Sequence, residues 1–311
     1  FDVVIAPDPS EETIKSLIVD ADAFLVRATK VNENILSAAK KLKIVSRHGV
    51  GLDQIDVEAC TKHGVIVTVT TAANAHSVAE HTLGGALYLM KRYEKAQALL
   101  RSGACNMPGG LTGILTKLGF SNEVLEGKTI CLVGCGAIAR YVAHIAHDGF
   151  GMNVIGYDPF VSAENLAASG IKKYETVDEM LPLSDVVSIH VPKMPETVNL
   201  INKSSFEKMK KNAVLINTAR GGIVNEADLA EALNSGKIAG AMLDVFEVEP
   251  PKLDNPLFSC ENVLLTPHIA AASDGAMMNM SSGAAKNIID FFNGAEILPV
   301  VNKQVFTPFK G

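Results

Sequence analysis

The stretch GKTICLVGCGAIARYVAHIAHDGFGMNVIGYDP, Gly127–Pro159, decides how this chain is read. It opens on a short apolar run, Thr129–Val133, with the length and composition of a buried strand. A glycine turn follows at Gly134-Cys135-Gly136, then a helical pattern from Ala137 to about Asp148. A second apolar run, Val154–Tyr157, ends on Asp158. Strand, glycine turn, helix, strand and terminal acid, in that order, are the parts of a dinucleotide-binding βαβ unit. Gly134 permits the tight turn, Gly136 lets the backbone approach a pyrophosphate, and Ala139 is small enough for helix–strand packing. Gly134, Gly136, Ala137 and Ile138 are therefore candidate cofactor contacts, because the free N–H groups and positive dipole end of the helix favour phosphate. Asp158 lies where a carboxylate accepts from the ribose hydroxyls. A negative charge there repels a 2′-phosphate and Pro159 offers no counter-charge, so the expected cofactor is NAD rather than NADP.

Working outward, strand-like apolar runs alternate with helical patterns almost throughout, the mark of parallel α/β architecture. Before the glycine turn the strand candidates are Val3–Ala6, Ala23–Val26, Ile44–Ser46 and Val65–Val69. Helical stretches near Glu11–Val19, Asn32–Lys41, Asp56–Lys62 and Ser77–Leu100 separate them. After it come Thr129–Val133, Val154–Tyr157, Val186–Val191, Ala213–Asn217, Ile238–Leu243 and Val263–Leu265, enough for a complete doubly wound fold. Arg101–Glu126, with Pro108-Gly109-Gly110, reads as a linker or interface arm. A last amphipathic helix, about Met277–Asn293, leads into a tail that is expected to pack back on the first domain.

A chain of 311 residues is too long for one ordinary core. A net charge of −6 without a basic block argues against nucleic acid. No apolar run approaches the roughly 18 residues of a membrane span, and no signal-peptide pattern stands at the start. Cys60, Cys105, Cys131, Cys135 and Cys260 form no Cys-x-x-Cys pair, which points to a reduced, cytoplasmic protein. Cys135, inside the glycine turn, reads first as a small turn-filling residue and second as an oxidisable one. No spacing asks for a metal.

Ligands of an open parallel sheet bind outside the carboxyl ends of its strands. Three ionisable residues follow successive strand candidates there: Arg220 after AVLINTA, Glu249 after GAMLDVFEV and His268 after VLLTP. Each alone could be a turn or surface residue. Together they match what reduction of a 2-oxo acid needs. Arg220 offers a planar fork for a carboxylate. An imidazole gives and takes protons near neutrality, so His268 is the candidate acid–base group. Glu249, bonded to that ring, would orient it.

With these residues the chain resembles the D-isomer-specific 2-hydroxyacid dehydrogenases. The likeness is carried by Gly127–Pro159, LPLSDVVSIHVPKMPETVNLI (Leu181–Ile201), MKKNAVLINTARGGIVNE (Met209–Glu226), LDVFEVEPP (Leu243–Pro251) and LLTPHIA (Leu264–Ala270). FLVRATKVNENIL (Phe24–Leu36) and VSRHGVGLDQIDV (Val45–Val57) are most similar to the phosphoglycerate dehydrogenase branch. The resemblance implies Arg220, Glu249 and His268 as the catalytic set. It implies an adenosine loop at His190, Val191, Pro192 and Thr197. Thr218, Ala219, Asp244 and His268 are implied beside the nicotinamide, and Val50 and Gly51 as backbone donors to the substrate carboxylate, with Arg220 and His268 also on the substrate. It further implies that Ser77–Leu83 begins an interdomain helix and that the protein is a homodimer. Arg27, Lys30, Arg47 and His48 could add positive charge for a doubly anionic substrate, Arg47 first because it precedes Gly49-Val50-Gly51.

The fold expected is α/β, with two doubly wound parallel-sheet domains and a cleft between them. Residues 1–97 and a returning segment, 275–311, would form a smaller flavodoxin-like substrate domain, and 98–274 a Rossmann-type NAD domain. The expected partner is a small 2-hydroxy or 2-oxo acid, possible members including 3-phosphoglycerate. Ala139 stands where glycine is more usual, and Cys105–Glu126 lacks the tryptophan and basic residues of the phosphoglycerate branch, which leaves the substrate open. A formate- or phosphite-type dehydrogenase and a dinucleotide-sensing, corepressor-like binding protein are the alternatives.

Overall fold

A computed structural model of the chain describes residues 1–296 and 298–310. Contacts divide the chain into two compact units, Phe1–Asn74 with Ser273–Gly311, and Ala75–Ala272. In the first unit β1 (Ala23–Val26), β2 (Ile44–Arg47) and β3 (Ile66–Thr68) form a parallel sheet in that order. Helices α1 (Glu11–Leu17), α2 (Glu33–Ala38) and α3 (Val57–Lys62) each start on a side-chain cap. Ser10, Asn32 and Asp56 accept from the N–H of Thr13, Ile35 and Ala59, satisfying a donor the first turn leaves orphaned. Ile14, Ile35, Leu36, Val45 and Val67 form the core on one side. On the other, Phe291 of the C-terminal helix Asp274–Phe292 clusters with Ile44 and Ile66. The tail then closes the outer edge of β3. Val300 bridges to Thr68, and the Asn302 side chain accepts from Val67 N at 2.8 Å and donates to Val65 O at 2.9 Å.

Val3–Ala6, expected as a strand, forms none, and Val3, Val4 and Ile5 are exposed. Its composition signals burial, but a strand also needs a partner edge, which composition does not supply.

The second unit carries seven parallel strands: β4 (Thr129–Val133), β5 (Asn153–Tyr157), β6 (Lys172–Lys173), β7 (Val186–Ile189), β8 (Val214–Asn217), β9 (Gly240–Leu243) and β10 (Val263–Leu265). Their spatial order is β10-β9-β8-β7-β4-β5-β6. The chain therefore winds out through β5 and β6, then returns to lay β7 on the other edge of β4. That reversal is the switch point where such sheets open a ligand crevice. The helices of this unit are α4 (Ala75–Met90), α5 (Tyr93–Arg101), α6 (Leu111–Lys117), α7 (Ala137–His144), α8 (Ala163–Ala167), α9 (Val177–Met180), α10 (Lys203–Lys208) and α11 (Glu226–Asn234). Alternate residues of the strands face opposite cores. Cys131, Val133, Val187 and Leu215 meet Phe206 and Leu229, whereas Ile130, Leu132, Val186 and Ile216 meet Leu83 and Ala86 of α4 and Val142 of α7. Burial on both faces explains why these strands read as unbroken apolar runs.

The contact division falls between residues 74 and 75, not after residue 97. Helix α4 packs on α7, β8 and β9, so its core contacts belong with the large sheet. The later boundary falls before Ser273, whose hydroxyl caps the C-terminal helix by accepting from Ala276 N. The single helix expected over Ser77–Leu100 is broken at Arg92, which adopts φ 51°, and α5 beyond it buries no residue. The expected linker holds α6, anchored by buried Ile114. Among the described residues no helix is long and apolar enough to cross a membrane.

Candidate active site

Register sets the stage. Tyr157, Val133, Ile189, Asn217, Leu243 and Leu265 lie side by side across the carboxyl ends of β5, β4, β7, β8, β9 and β10. The next residue on each strand is Asp158, Gly134, His190, Thr218, Asp244 and Thr266. The ladder bonds continue into that row: Gly134 N donates to Tyr157 O, His190 N to Val133 O, Asp244 N to Asn217 O and Thr266 N to Leu243 O. Residues spread through half the chain thus share one edge.

At the switch point Gly134 holds φ 90°, and a Cβ there would lie 2.9 Å from His190 C and Val191 N. A side chain is excluded by both conformation and space. Gly136 caps α7 without a side-chain bond, so the first-turn N–H groups at Ala137 and Ile138 face no capping oxygen. Asp158 closes the turn from β5, taking Cys135 N on Oδ2 and Phe160 N on Oδ1, both at 2.9 Å. Each oxygen keeps a further lone pair. Cys135 fills the turn: its Sγ lies 3.7 Å from Tyr157 O, and burial, with Asp158 beside it, pushes the thiol up to about 12. A thiol so poised forms little nucleophilic thiolate. These residues fit a dinucleotide pyrophosphate and ribose.

His190 follows on β7. The residue keeps partial exposure, but its Nε2 meets Ser188 Oγ at 2.9 Å and desolvation pushes the imidazole down to about 4. It is neutral at physiological pH. In the loop beyond, Val191 is partly buried and Pro192 exposed, while the Thr197 hydroxyl donates to Pro192 O at 2.7 Å and accepts from Met194 N at 2.8 Å. Thr197 thus shapes the loop from within.

After β8, Thr218 is buried with its hydroxyl 3.0 Å from that of Thr82 on α4. The buried Asn217 side chain braces the next turn, accepting from Ala219 N at 3.1 Å and donating to Arg220 O at 3.0 Å. Arg220, partly buried, donates through Nη1 to Ala219 O at 2.7 Å. Gly221 brings this turn against the loop after β9, where a Cβ would fall 1.7 Å from Phe246 O.

That loop carries Glu249. Its Oε1 accepts from Phe246 N at 3.1 Å, and its Oε2 meets His268 Nδ1 at 2.8 Å. The loop is held by Glu226 of α11, which accepts from Glu247 N at 2.5 Å and from the Asn255 amide at 2.6 Å. His268 stands in the left-handed region at φ 55° with its N–H donated to Asp244 O at 2.8 Å. Side-chain exposures of 49% for His268 and 38% for Glu249 leave the pair open to a ligand. Because Nδ1 faces the carboxylate, Nε2 is the ring nitrogen available for proton exchange. Asp244 itself is fully buried, and its carboxylate accepts from Thr266 Oγ1 at 2.6 Å, Ile269 N at 2.8 Å and Ala270 N at 2.8 Å. Burial raises its pKa, but the His81 ring 3.6 Å away and the bonds from Thr266, Ala270 and Ile269 together outweigh it, and the net shift is downward.

Glu249 and His268 are therefore brought into contact, and Arg220 sits on the turn packed against the Glu249 loop. Arg47, Val50 and Gly51 belong to the first unit. There the Arg47 guanidinium donates to Gly51 O at 2.7 Å and Val26 O at 3.3 Å, and also bonds Arg27 O. It braces the Gly49–Gly51 loop. His48 is buried with Nε2 3.2 Å from Ser281 Oγ, and burial lowers its pKa. Sequence reasoning passed over Asn217, Glu226, His81 and Thr266. The spacing of Ser77 and His81, four apart and so on one face of α4, was the one local clue.

Comparison with known proteins bears on the whole chain. Residues 83–270 match the family model described as D-isomer specific 2-hydroxyacid dehydrogenase, NAD binding domain. D-3-phosphoglycerate dehydrogenase of Archaeoglobus fulgidus is 38% identical over 309 residues, 99% of this chain and 56% of that protein. The enzyme of the same description from Bacillus subtilis is 39% identical over 287 residues, 92% of this chain and 52% of that protein. The chain spans about half the length of these curated relatives. Among solved structures, the holo form of Rhodotorula graminis D-mandelate dehydrogenase superposes with a TM-score of 0.87 at 28% identity, covering 99% of this chain and 92% of that one. An NAD complex of formate dehydrogenase from Staphylococcus aureus gives 0.77 at 28% identity, covering 95% and 86%.

Proposed function

Because this chain belongs to the D-isomer specific 2-hydroxyacid dehydrogenase family, we propose that it interconverts an (R)-2-hydroxy acid and its 2-oxo acid, with NAD as hydride carrier. The observation that carries the reading is the 2.8 Å contact between His268 Nδ1 and Glu249 Oε2 at the carboxyl edge of the NAD-type sheet. Bound at the α7 turn and Asp158, NAD supplies hydride acceptance and donation. His268 Nε2 gives the proton to the carbonyl oxygen in reduction and takes it from the hydroxyl in oxidation. Glu249 holds the ring in the orientation this requires. Arg220 clamps the substrate carboxylate, for which a guanidinium is geometrically suited. Oxidation of formate would need no proton donor, so the His268–Glu249 pair favours a hydroxy acid.

The second unit is the NAD domain in this reading and the first the substrate domain, whose proposed substrate contacts are the backbone N–H groups of Val50 and Gly51 on a loop that Arg47 stiffens. Similarity to the D-3-phosphoglycerate dehydrogenases makes 3-phosphoglycerate the leading substrate. A cytoplasmic homodimer goes with it.

The test follows NADH absorbance over hydroxypyruvate, glyoxylate and 3-phosphohydroxypyruvate. Turnover of at least one is expected, and His268→Ala should lower kcat by roughly 10² to 10⁴ while leaving NADH affinity within about threefold. Protein that binds NADH yet reduces none of the three would overturn the proposal.

A further inference from the structure

We infer that His81 of α4 is a positioning residue that holds the His268 loop in its working conformation through Thr266 and Asp244. The inference rests on the reading of His268 as the proton carrier. His268 occupies a backbone region that side chains rarely adopt, and such a residue persists only where its surroundings over-determine it. Asp244 grips the loop from β9. Its carboxylate takes Thr266 Oγ1, Ile269 N and Ala270 N, and its carbonyl takes His268 N.

Helix α4 grips the same loop from the other side, at both ends. Ser77 Oγ donates to Ala270 O at 2.7 Å. His81 Nε2 lies 3.2 Å from Thr266 Oγ1 and 3.6 Å from Asp244 Oδ1. Ser77 and His81 are four residues apart and so share a helix face. The Thr266 hydroxyl proton is already spent on Asp244 at 2.6 Å, so at the His81 contact Thr266 can only accept. His81 therefore donates from Nε2. The result is a chain of donors, His81 to Thr266 to Asp244, that ends on the carboxylate holding both amides beside His268. Removing His81 leaves Thr266 without its second partner and takes away the ring that lies 3.6 Å from Asp244 Oδ1. The loop then loses its preference for the strained geometry.

The experiment compares His81→Leu with His81→Gln, whose amide can still donate to Thr266. Amide hydrogen exchange at Ile269 and Ala270 is read without substrate; kcat and KM are read with whichever 2-oxo acid the wild type reduces. His81→Leu is expected to speed exchange at those two amides about tenfold and to lower kcat about tenfold, with KM for NADH changed less than twofold. His81→Gln should restore both to within about threefold. Should His81→Leu not fold, Thr266→Val, which keeps shape and removes the relaying hydroxyl, is expected to give the same two changes. Wild-type exchange at Ile269 and Ala270 in folded His81→Leu or Thr266→Val overturns the inference, as does a loss of activity in His81→Leu that His81→Gln fails to rescue. A wild-type protein without turnover refutes the functional reading instead, and the exchange measurement still decides the role of His81.

Discussion

Asp158 and Asp244 occupy equivalent places, each one residue beyond the carboxyl-end row of the same sheet, yet they do opposite work. Asp158, partly exposed after β5, takes one backbone N–H on each oxygen and keeps lone pairs for a ligand. Asp244, fully buried after β9, spends its carboxylate on Thr266, Ile269 and Ala270. The residue type and position are shared. What separates a ligand contact from a loop clasp is how many internal donors arrive and how much water is left. Resemblance to the family pointed to Asp244 as a nicotinamide contact; in the fold its carboxylate is first of all the anchor of the His268 loop.

The comparison breaks most visibly at Asp244. Asp244→Ala leaves three donors without an acceptor, Ala270 N buried and Thr266 Oγ1 and Ile269 N partly buried, and at about 1–3 kcal/mol for a buried donor and less for the others a loss of about 2–4 kcal/mol in urea unfolding is expected. A kcat decrease beyond about 10² should accompany it as the His268 loop relaxes. A loss below about 1 kcal/mol would mean the clasp is decorative.

His190, between the two aspartates on the same row, tests burial of charge rather than supply of donors. Its folded pKa near 4 lies below the ordinary value of 6.5, so the unfolded chain binds more protons between those limits. Stability must then fall as pH drops through 6.5, and the loss levels off below about 4. At pH 5 this amounts to about 2 kcal/mol, which His190→Gln should abolish. Unfolding curves for the two proteins at pH 7 and pH 5 decide it; equal acid sensitivity would show that the ring is solvated when folded.

The smallest effect is expected at Asp158. Asp158→Ala frees the N–H of exposed Phe160, which water satisfies, and leaves only that of buried Cys135 without an acceptor, so the stability loss should stay within about 1.5 kcal/mol. NADH affinity should weaken about tenfold, and the preference over NADPH should shrink, as titration of the two cofactors would reveal. Unfolding comparable to that of Asp244→Ala would erase the distinction between the two aspartates.

Much of the large sheet was legible because its signals are local. Thr129–Val133 and Val263–Leu265 coincide with β4 and β10, since parallel strands, buried like β4 or partly buried at the edge like β10, read as short apolar runs bounded by turns. Gly134 announced its turn because only glycine suits φ 90° against the His190–Val191 backbone. Other elements carried no such mark. Strand β6 is two lysines, Lys172 and Lys173, recruited by pairing with Ile155 and Gly156. The break at Arg92 lies inside a continuous helical pattern, and α6 lies in a stretch that glycine and proline mark as a loop. Conversely, Val3–Ala6 has the composition of a strand without the pairing.

The candidate site divides along the same line. The glycine turn with its helix and terminal acid, and the presence of an arginine, a carboxylate and a histidine after successive strands, follow from residue order, because strand direction and turn chemistry are properties of a few adjacent residues. Most of the partners that side chains find did not. The pairing of His268 with Glu249 was expected from their chemistry, but the bracing of Arg47 against Gly51, the enclosure of Asp244 and the reach of His81 across to Thr266 were settled by packing. Contacts between residues distant along the chain exist only once the sheet register has brought them to one edge.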